Sequence, residues 1–377
     1  MVHLNQEWEV RSLDDLDPQG LLLVAKFFNE QFPGVFYPEC TPELFNWKLG
    51  SSNPAGRGFL TVAICNGLVV GTTSGTRKVL SEKGNTFEAI EIGDTFTHPD
   101  FRKSGKCISP NNLEENNDEY FSVSVFGRLV SETISRAQKS GVKFIYSTPN
   151  ENSKPPYIKR FDFNEIGDGK ISSNLIITKR YKPIQKMQLI QIIFSFITRI
   201  YTHTRAYIVL GKNSIHEIHQ DEFLSNLNQE YFKTNAYSDK VHLVRDKQIL
   251  QHRYVLHPSH KYRYFQVKIK GVNKGILITT VVRRSSGVTT LVVSDWLFSD
   301  QKVEKRLALF IPKLLPHILN AETISFWERE GYSKMTKLLL GIIKHKKVSL
   351  ISKDFRNLNG IEKSEFGNFP IGWSDNG

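Results

Sequence analysis

A strand-like run, Ile92-Gly93-Asp94-Thr95-Phe96-Thr97, empties through His98-Pro99 into the basic, glycine-containing loop Arg102-Lys103-Ser104-Gly105-Lys106. These types suit a pyrophosphate. Arg102, Lys103 and Lys106 supply counter-charge, and Gly105 lets loop N–H groups come close. A helix that begins at Val125 and Phe126 adds the unpaired N–H groups and partial positive charge of its first turn. Basic surface turns are common, so the loop gains weight only from its neighbours. Two acids precede it. Glu91 and Asp94 stand three apart, which in an uninterrupted strand puts them on opposite faces, so at most one looks into a given pocket. Either could be a general base or a hydrogen-bonded structural acid. His98 is a further base, or caps the loop before Pro99, and His252 is another in the second half of the chain.

The elements that must position these groups can be read from periodicity. Pro18 to Gln31 reads as a helix, with Leu21, Leu22, Val24, Ala25, Phe27 and Phe28 on helical spacing. Phe59 to Ile64, Asn66-Gly67 and Leu68 to Gly71 form a hairpin signature, and Phe87 to Thr97 a further strand. Val125 to Lys139 is amphipathic and stops before Gly141, after which Phe144 to Ser147 resumes a strand. This crossover, with the hairpin before it, predicts a mixed α/β sheet with parallel and antiparallel parts. After it, Asn150, Ser153 and Tyr157 open a short helix that ends in Phe161 and Phe163. Farther on, Gln185, Gln188, Gln191, Ser195 and Thr198 draw a narrow polar stripe on an otherwise apolar helix, packed between the halves or at a dimer interface.

The second half repeats landmarks of the first. Pro54 and Pro258 stand 204 apart, as do Gly67 and Gly271, and Gly71 and Gly275, while Asp94 and Asp295 stand 201 apart. Shared offsets of this kind indicate an internal duplication. A basic loop does not follow Asp295-Trp296; Ser299 to Val303 leads directly into a helix, so this copy is expected not to bind CoA. Its cluster His252-Arg253-Tyr254, His257, His260-Lys261-Tyr262-Arg263 offers cations and aromatics to a nucleotide diphosphate, or is a solvated basic edge.

A chain of 377 residues with formal net charge +12 points to two domains and anionic partners. The lysines and arginines are scattered, without an arginine-rich arm, so nucleic acid is not expected as a partner. Three cysteines, Cys40, Cys65 and Cys107, lack metal-knuckle or redox spacing, and we expect free thiols, a cytoplasmic protein and no metal. Neither a signal peptide nor a membrane span is expected, because the most apolar stretch, Met187 to Tyr201, is broken by polar residues.

Taken together, Arg102, Gly105, Asn150, Tyr157 and Phe163 resemble the GNAT superfamily of acyl-CoA N-acyltransferases over roughly residues 20–170. That family's pattern is a strand, an Arg-x-x-Gly-x-Gly/Ala loop, a helix, a strand, then Asn and Tyr before Gly-Phe. Here about 18 residues interrupt the loop, and Asp162 replaces the glycine before Phe163. The resemblance implies an acyl-CoA donor held by Phe96, Thr97, Arg102, Lys103, Ser104, Gly105, Lys106, Val125, Phe126, Asn150 and Ser153. It also implies a backbone N–H near Phe96 or Thr97 on the thioester carbonyl and Tyr157 as general acid, with Asp94 or His252 as base. Trp47-Lys48, Asn53-Pro54 and the Gly-Asp-Thr-Phe-Thr-His-Pro strand look like bacterial enzymes that acylate nucleotide-linked amino sugars. This implies a 3-hydroxybutanoyl or acetyl donor and a dTDP-3-amino-3,6-dideoxyhexose acceptor, for surface polysaccharide. A non-catalytic CoA-binding module, and a tandem transferase for peptide or lipid-linked cell-wall precursors, are the alternatives. The expected architecture is α/β (α+β), with two GNAT-like mixed-sheet domains in tandem, the second degenerate. The expected boundaries are a CoA-binding domain at 1–180, a linker with an apolar helix at 181–212, and an acceptor-shaping domain at 213–377, as monomer or homodimer.

Overall fold

The computed structural model describes residues 8–13, 17–32, 39–102, 124–175, 214–227, 241–283, 287–298, 321, 323–328 and 342–355, with positions 193, 200 and 204. Residues 103–106, Cys107, the loop insertion, nearly all of the polar-striped segment and residues 299–320 lie outside them.

The first half runs β1 (Glu9–Ser12), α1 (Pro18–Gln31), α2 (Pro42–Leu49), β2 (Phe59–Cys65), β3 (Leu68–Glu82), β4 (Asn85–Thr97), α3 (Val125–Lys139), β5 (Phe144–Ser147), α4 (Lys154–Arg160) and β6 (Asn164–Leu175). The second runs β7 (Ser214–Ile218), α5 (Gln220–Asn226), β8 (His242–Leu243), α6 (Lys247–Tyr254), β9 (Tyr262–Ile269), β10 (Val272–Arg283), β11 (Thr289–Phe298), β12 (Thr323–Glu328) and β13 (Ile342–Asp354). Helix starts follow from local chemistry. Asp17 caps α1 by accepting from the Gln19 and Gly20 N–H groups, Pro18 opens its first turn, and Ser124 Oγ caps α3 by accepting from Gly127 N–H at 3.0 Å. The hairpin turns at Asn66-Gly67 and Lys270-Gly271 each place two residues at positive φ, which suits the twist of the flanking strands.

The strands form one ladder of two mixed half-sheets, in the order β1-β2-β3-β4-β5-β13-β6-β12-β11-β10-β9-β7, with β8 on β3. The halves correspond strand for strand, β1 to β7 and β2 to β9 through β5 to β12. Only β4·β5 and β11·β12 pair in parallel among the described strands. The closing strands are exchanged. Strand β6, from the first half, pairs with β12 of the second, and β13 returns from the second half to pair with β5 of the first. The two then pair with each other along the middle of the ladder.

Each face of the first half-sheet has its own cover. Ile90 and Ile92 pack with Val130 and Ile134 of α3, whereas Ala89 and Leu80 point to the other face, into a cluster shared with Phe223, Tyr264 and Leu297 of the second half. Leu129 and Val130, both fully buried, each contribute about 1.5–3 kcal/mol of apolar burial. α3 lies very close to β3: a Cβ on Gly71 would stand 2.6 Å from Val125 Cγ1, so only glycine admits the first turn of α3 here. The junction core shared by both halves explains why the duplicated units make one body. The observed fold is the expected α/β (α+β) pair of tandem mixed sheets.

Candidate functional site

A single inserted residue organises the site. Ser74 pairs with Gly93 and Thr72 with Phe96, so β4 carries one more residue than β3 between these pairs, and Asp94 takes a positive φ of 48°. The parallel pairing of β4 with β5 ends at Ile92 and Ser147, immediately before this bulge. Beyond it, β4 continues without β5, which leaves a notch between the two strands. The His98 N–H donates to Val70 at 2.9 Å. By antiparallel alternation this turns the Thr97 N–H away from β3, toward the edge that β5 has vacated. Of the two expected carbonyl-binding positions, Thr97 is the one so turned. Its buried Oγ1 has no hydrogen-bond partner among the described residues.

The bulge also corrects an expectation about the acids. Glu91 and Asp94 do not face opposite sides of the sheet: Lys78 Nζ lies 3.2 Å from Glu91, and Lys48 Nζ 2.7 Å from Asp94, and both lysines line one cavity. The extra residue after Ile92 shifts the alternation by one, which counting along an uninterrupted strand misses. Ser74 Oγ donates to the same oxygen of Asp94, Oδ2, at 2.6 Å. Oδ1 has no partner among the described residues, and the side chain keeps 12% exposure. Cys40 lies nearby. Burial first, and then the Asp94 carboxylate, push its thiol up to about 12, with Lys48 pulling the other way.

Tyr157, on α4, is 1% exposed and ringed by Phe126, Phe161 and Phe163. Its hydroxyl lies 3.3 Å from Thr95 Oγ1, the residue that follows Asp94 in the bulge, and near Ser147 at the end of β5, whose Oγ donates to the Ile92 carbonyl at 3.0 Å. The phenol therefore sits where β4 and β5 part. Burial pushes it up to about 12, Thr95 and Ser147 acting against that, so it keeps its proton at neutral pH.

The other expected contacts are placed as follows. Arg102 folds back: its Nε donates to the Thr97 carbonyl at 3.0 Å and its guanidinium lies 5.1 Å from the Phe96 ring centre. Phe96 itself packs against Phe27 and Phe32. His98 caps the 3-10 turn Pro99–Phe101, its Nδ1 accepting from Asp100 N–H. Val125 and Phe126 form the first turn of α3, and Val125 is buried. Asn150 Oδ1 accepts from the N–H groups of Asn152 and Ser153 and from Ser153 Oγ, so these two residues hold the entry to α4. Lys103, Ser104, Gly105 and Lys106 lie outside the described residues.

His252, on α6, stacks on Trp47 of α2, with ring centres 4.9 Å apart and planes 5° apart, and Trp47 Nε1 donates to its backbone carbonyl at 3.0 Å. Trp47 and His252 occupy equivalent places in the two halves, since the caps Thr41 and Asp246 of α2 and α6 each accept from the N–H three residues on. The halves thus meet on a pair of matched rings. Beside them α2, β3 and α6 enclose a cavity of about 30 Å3 lined by residues that include Lys48, Asn53, Thr76, Arg77, Lys78 and Arg253. Sequence reasoning missed Ser74, Thr76, Thr95 and Ser147, and it did not assign Lys48 to Asp94. No cluster of residues suited to a metal occurs among the described residues.

No protein-family model and no curated protein sequence matches the chain. Solved structures do match its fold. *Saccharomyces cerevisiae* N-myristoyltransferase with bound myristoyl-CoA aligns at 13% identity over 100% of this chain and 89% of its own, with a TM-score of 0.61. GCN5-related N-acetyltransferases from *Kribbella flavida* and *Anabaena variabilis* align at 9% and 11% identity. Each spans 92% of this chain, and 71% and 73% of its own, with TM-scores of 0.54 and 0.50. At such identities the likeness is one of fold, and the chain has the GNAT-like N-acyltransferase fold over its whole length.

Proposed function

We propose that the chain is an acyl-CoA-dependent N-acyltransferase, in which residues 1–180 hold the donor, 213–377 shape the acceptor site and 181–212 join them. The observation that carries this reading is the bulge at Asp94. It parts β4 from β5, exposes an N–H at Thr97, and brings a protonated phenol and a carboxylate to the two sides of one notch. Acyl transfer to an amine needs those three things: a donor for the thioester oxygen, a proton near the leaving sulfur and a base for the amine.

In this mechanism the amine nitrogen attacks the thioester carbon, the N–C bond forms, and the C–S bond breaks with its electron pair on sulfur. The Thr97 N–H meets the carbonyl oxygen as its charge grows. Asp94 takes the amine proton on Oδ1, while Lys48 and Ser74 hold Oδ2. Tyr157 gives its hydroxyl hydrogen to the departing sulfur, and the products are an amide and the CoA thiol. His252 serves as the second candidate base, reached from the α6 side. The pyrophosphate is held at the first turn of α3 by Val125 and Phe126 with residues 102–106, and Asn150 and Ser153 flank the pantetheine side.

The acceptor in this reading is a nucleotide-linked amino sugar, a dTDP-3-amino-3,6-dideoxyhexose, which takes a 3-hydroxybutanoyl or acetyl group. Support comes from the resemblance of the Gly-Asp-Thr-Phe-Thr-His-Pro strand, and from the basic lining of the cavity beside Asp94. Thiol release from acetyl- and 3-hydroxybutanoyl-CoA against dTDP- and UDP-amino sugars, with peptide amines beside them, tests it. Release with a peptide amine alone would retain the transferase and reject the sugar. Absence of both CoA binding and thiol release would reject the transferase.

A further inference from the structure

The cavity between α2, β3 and α6 has a one-sided lining. Lys48, Arg77, Lys78 and Arg253 border it, and no Asp or Glu does. Asp94, Glu91 and Glu88 hold Lys48, Lys78 and Arg77 without entering the lining. Thr76, 2% exposed, also borders the cavity, and its Oγ1 has no hydrogen-bond partner among the described residues. A buried hydroxyl left without a partner costs about 1–3 kcal/mol, so it calls for an explanation. At about 30 Å3 the space admits a group of a few heavy atoms. It opens on the face of the sheet that carries Asp94, opposite the face covered by α3.

We infer that this cavity is an oxyanion subsite that receives one carboxylate or phosphate group of the acceptor. The inference rests on the transferase reading only for the word acceptor. Basic side chains give the attraction, and the Thr76 hydroxyl donates one directed hydrogen bond. Lys48 borders the cavity and also grips Asp94, so an oxyanion bound there fixes its owner within one side chain of the base. A terminal amine on the same molecule is then held near Oδ1 of Asp94. The second half takes part through Arg253 and His252, which gives the degenerate copy a role in recognition although its own strand acid, Asp295, is buried.

Thr76→Val is the informative variant. It keeps the shape of the side chain and removes a hydroxyl that has no partner among the described residues, so thermal stability should not fall. Calorimetric titration of the full chain, without CoA, would use pyrophosphate and dTDP as phosphate probes and malonate as the carboxylate probe. We expect one class to bind, Thr76→Val to weaken it about ten- to a hundredfold, and CoA affinity to stay unchanged in a separate titration. Binding of the phosphates alone identifies a phosphorylated acceptor, and of malonate alone an acceptor with a carboxylate. Failure of all three probes to bind the wild-type chain overturns the subsite, as does equal binding by wild type and Thr76→Val. Both readouts are independent of CoA, so the subsite and the transferase can fail separately.

Discussion

The bulge that carries Asp94 and the one that immediately precedes Asp295 lie at neighbouring places in the two half-sheets, and what surrounds each acid differs. In β11 the extra residue falls between the pairs Ile278–Asp295 and Thr279–Val293. Asp295 accepts from Tyr254 Oη at 3.1 Å and from the N–H of Trp296 at 2.8 Å, stands 3.5 Å from Arg245, and its side chain has no exposure. Asp94 has Lys48 and Ser74 on one oxygen and an open second oxygen. Matched positions of α2 and α6 explain the change. Lys48 corresponds to Arg253 and Leu49 to Tyr254, while Cys40, beside Asp94, corresponds to Arg245, beside Asp295. In the second half a phenol and a guanidinium close over the acid and Arg253 is left to border the cavity. One backbone device thus serves two ends, and the side chains at three helix-linked positions decide which.

The comparison breaks if the two acids behave alike. Asp94→Asn should lower kcat/KM by about a hundred- to ten-thousandfold at neutral pH, and less at high pH where free amine is abundant, whereas Asp295→Asn in a folded enzyme should lower it less than about threefold. His252→Asn beside them sharpens the assignment: a loss there as large as at Asp94 moves the base to the junction. Next in size, Tyr157→Phe should reduce kcat about ten- to a thousandfold with KM little changed. Because the phenol is pushed up to about 12, kcat should show no alkaline decline from it below about pH 10. A matching loss of stability in place of rate would make Tyr157 a core residue.

Stability should show the reverse order. Removing a buried, charge-paired acid leaves its partners uncompensated, so Asp295→Ala should cost about 3 kcal/mol in a denaturant titration, and Asp94→Ala, with its part-exposed carboxylate, clearly less. The smallest effect concerns His260, which packs against His257 and Tyr262 and is lowered from its ordinary value by burial. A lowered histidine is neutral in the fold and takes up its proton more readily when unfolded. Its contribution is therefore full above the unfolded value near pH 6.5 and is lost as pH falls below it. The melting temperature should drop between about pH 7 and 5, and His260→Gln should flatten that drop.

Much of the scaffold was legible. Helix α1 follows from Pro18 and the spacing of Leu21, Val24, Ala25 and Phe28, and the hairpins follow from Asn66-Gly67 and its recurrence at Lys270-Gly271. These are local signals. The duplication was legible for the same reason, since each repeated proline, glycine and acid marks a local backbone event. The faces of Glu91 and Asp94 were not, because alternation counts residues and a bulge adds one without changing composition. Gly93-Asp94 was the available hint, as Asp tolerates the left-handed region better than most residues. The partners of Asp94, and the stack of Trp47 on His252, depend on contacts between residues 46 and 205 apart, and such distances leave no periodic trace. The same holds for the meeting of Glu165 with Ile351 in the middle of the ladder.

That exchange of closing strands has a consequence for the order of synthesis. The notch-bearing half-sheet ends in β5, and the strand that flanks β5 is β13, made nearly 200 residues later. Ile351 of β13 is fully buried against Ile145, Tyr157 and Phe163, which belong to the first half. A nascent chain that has just emitted its first 180 residues therefore has Tyr157 in an unfinished core and a bare edge along β5. That edge is where a wrong partner, including the same edge of another nascent chain, can pair. Completion waits for β13, and the long loops closed by that pairing favour slow folding and a single cooperative transition for both halves. A ribosome stalled before β13 should thus display a chain that a strand-binding chaperone still recognises, and emergence of β13 should end that recognition.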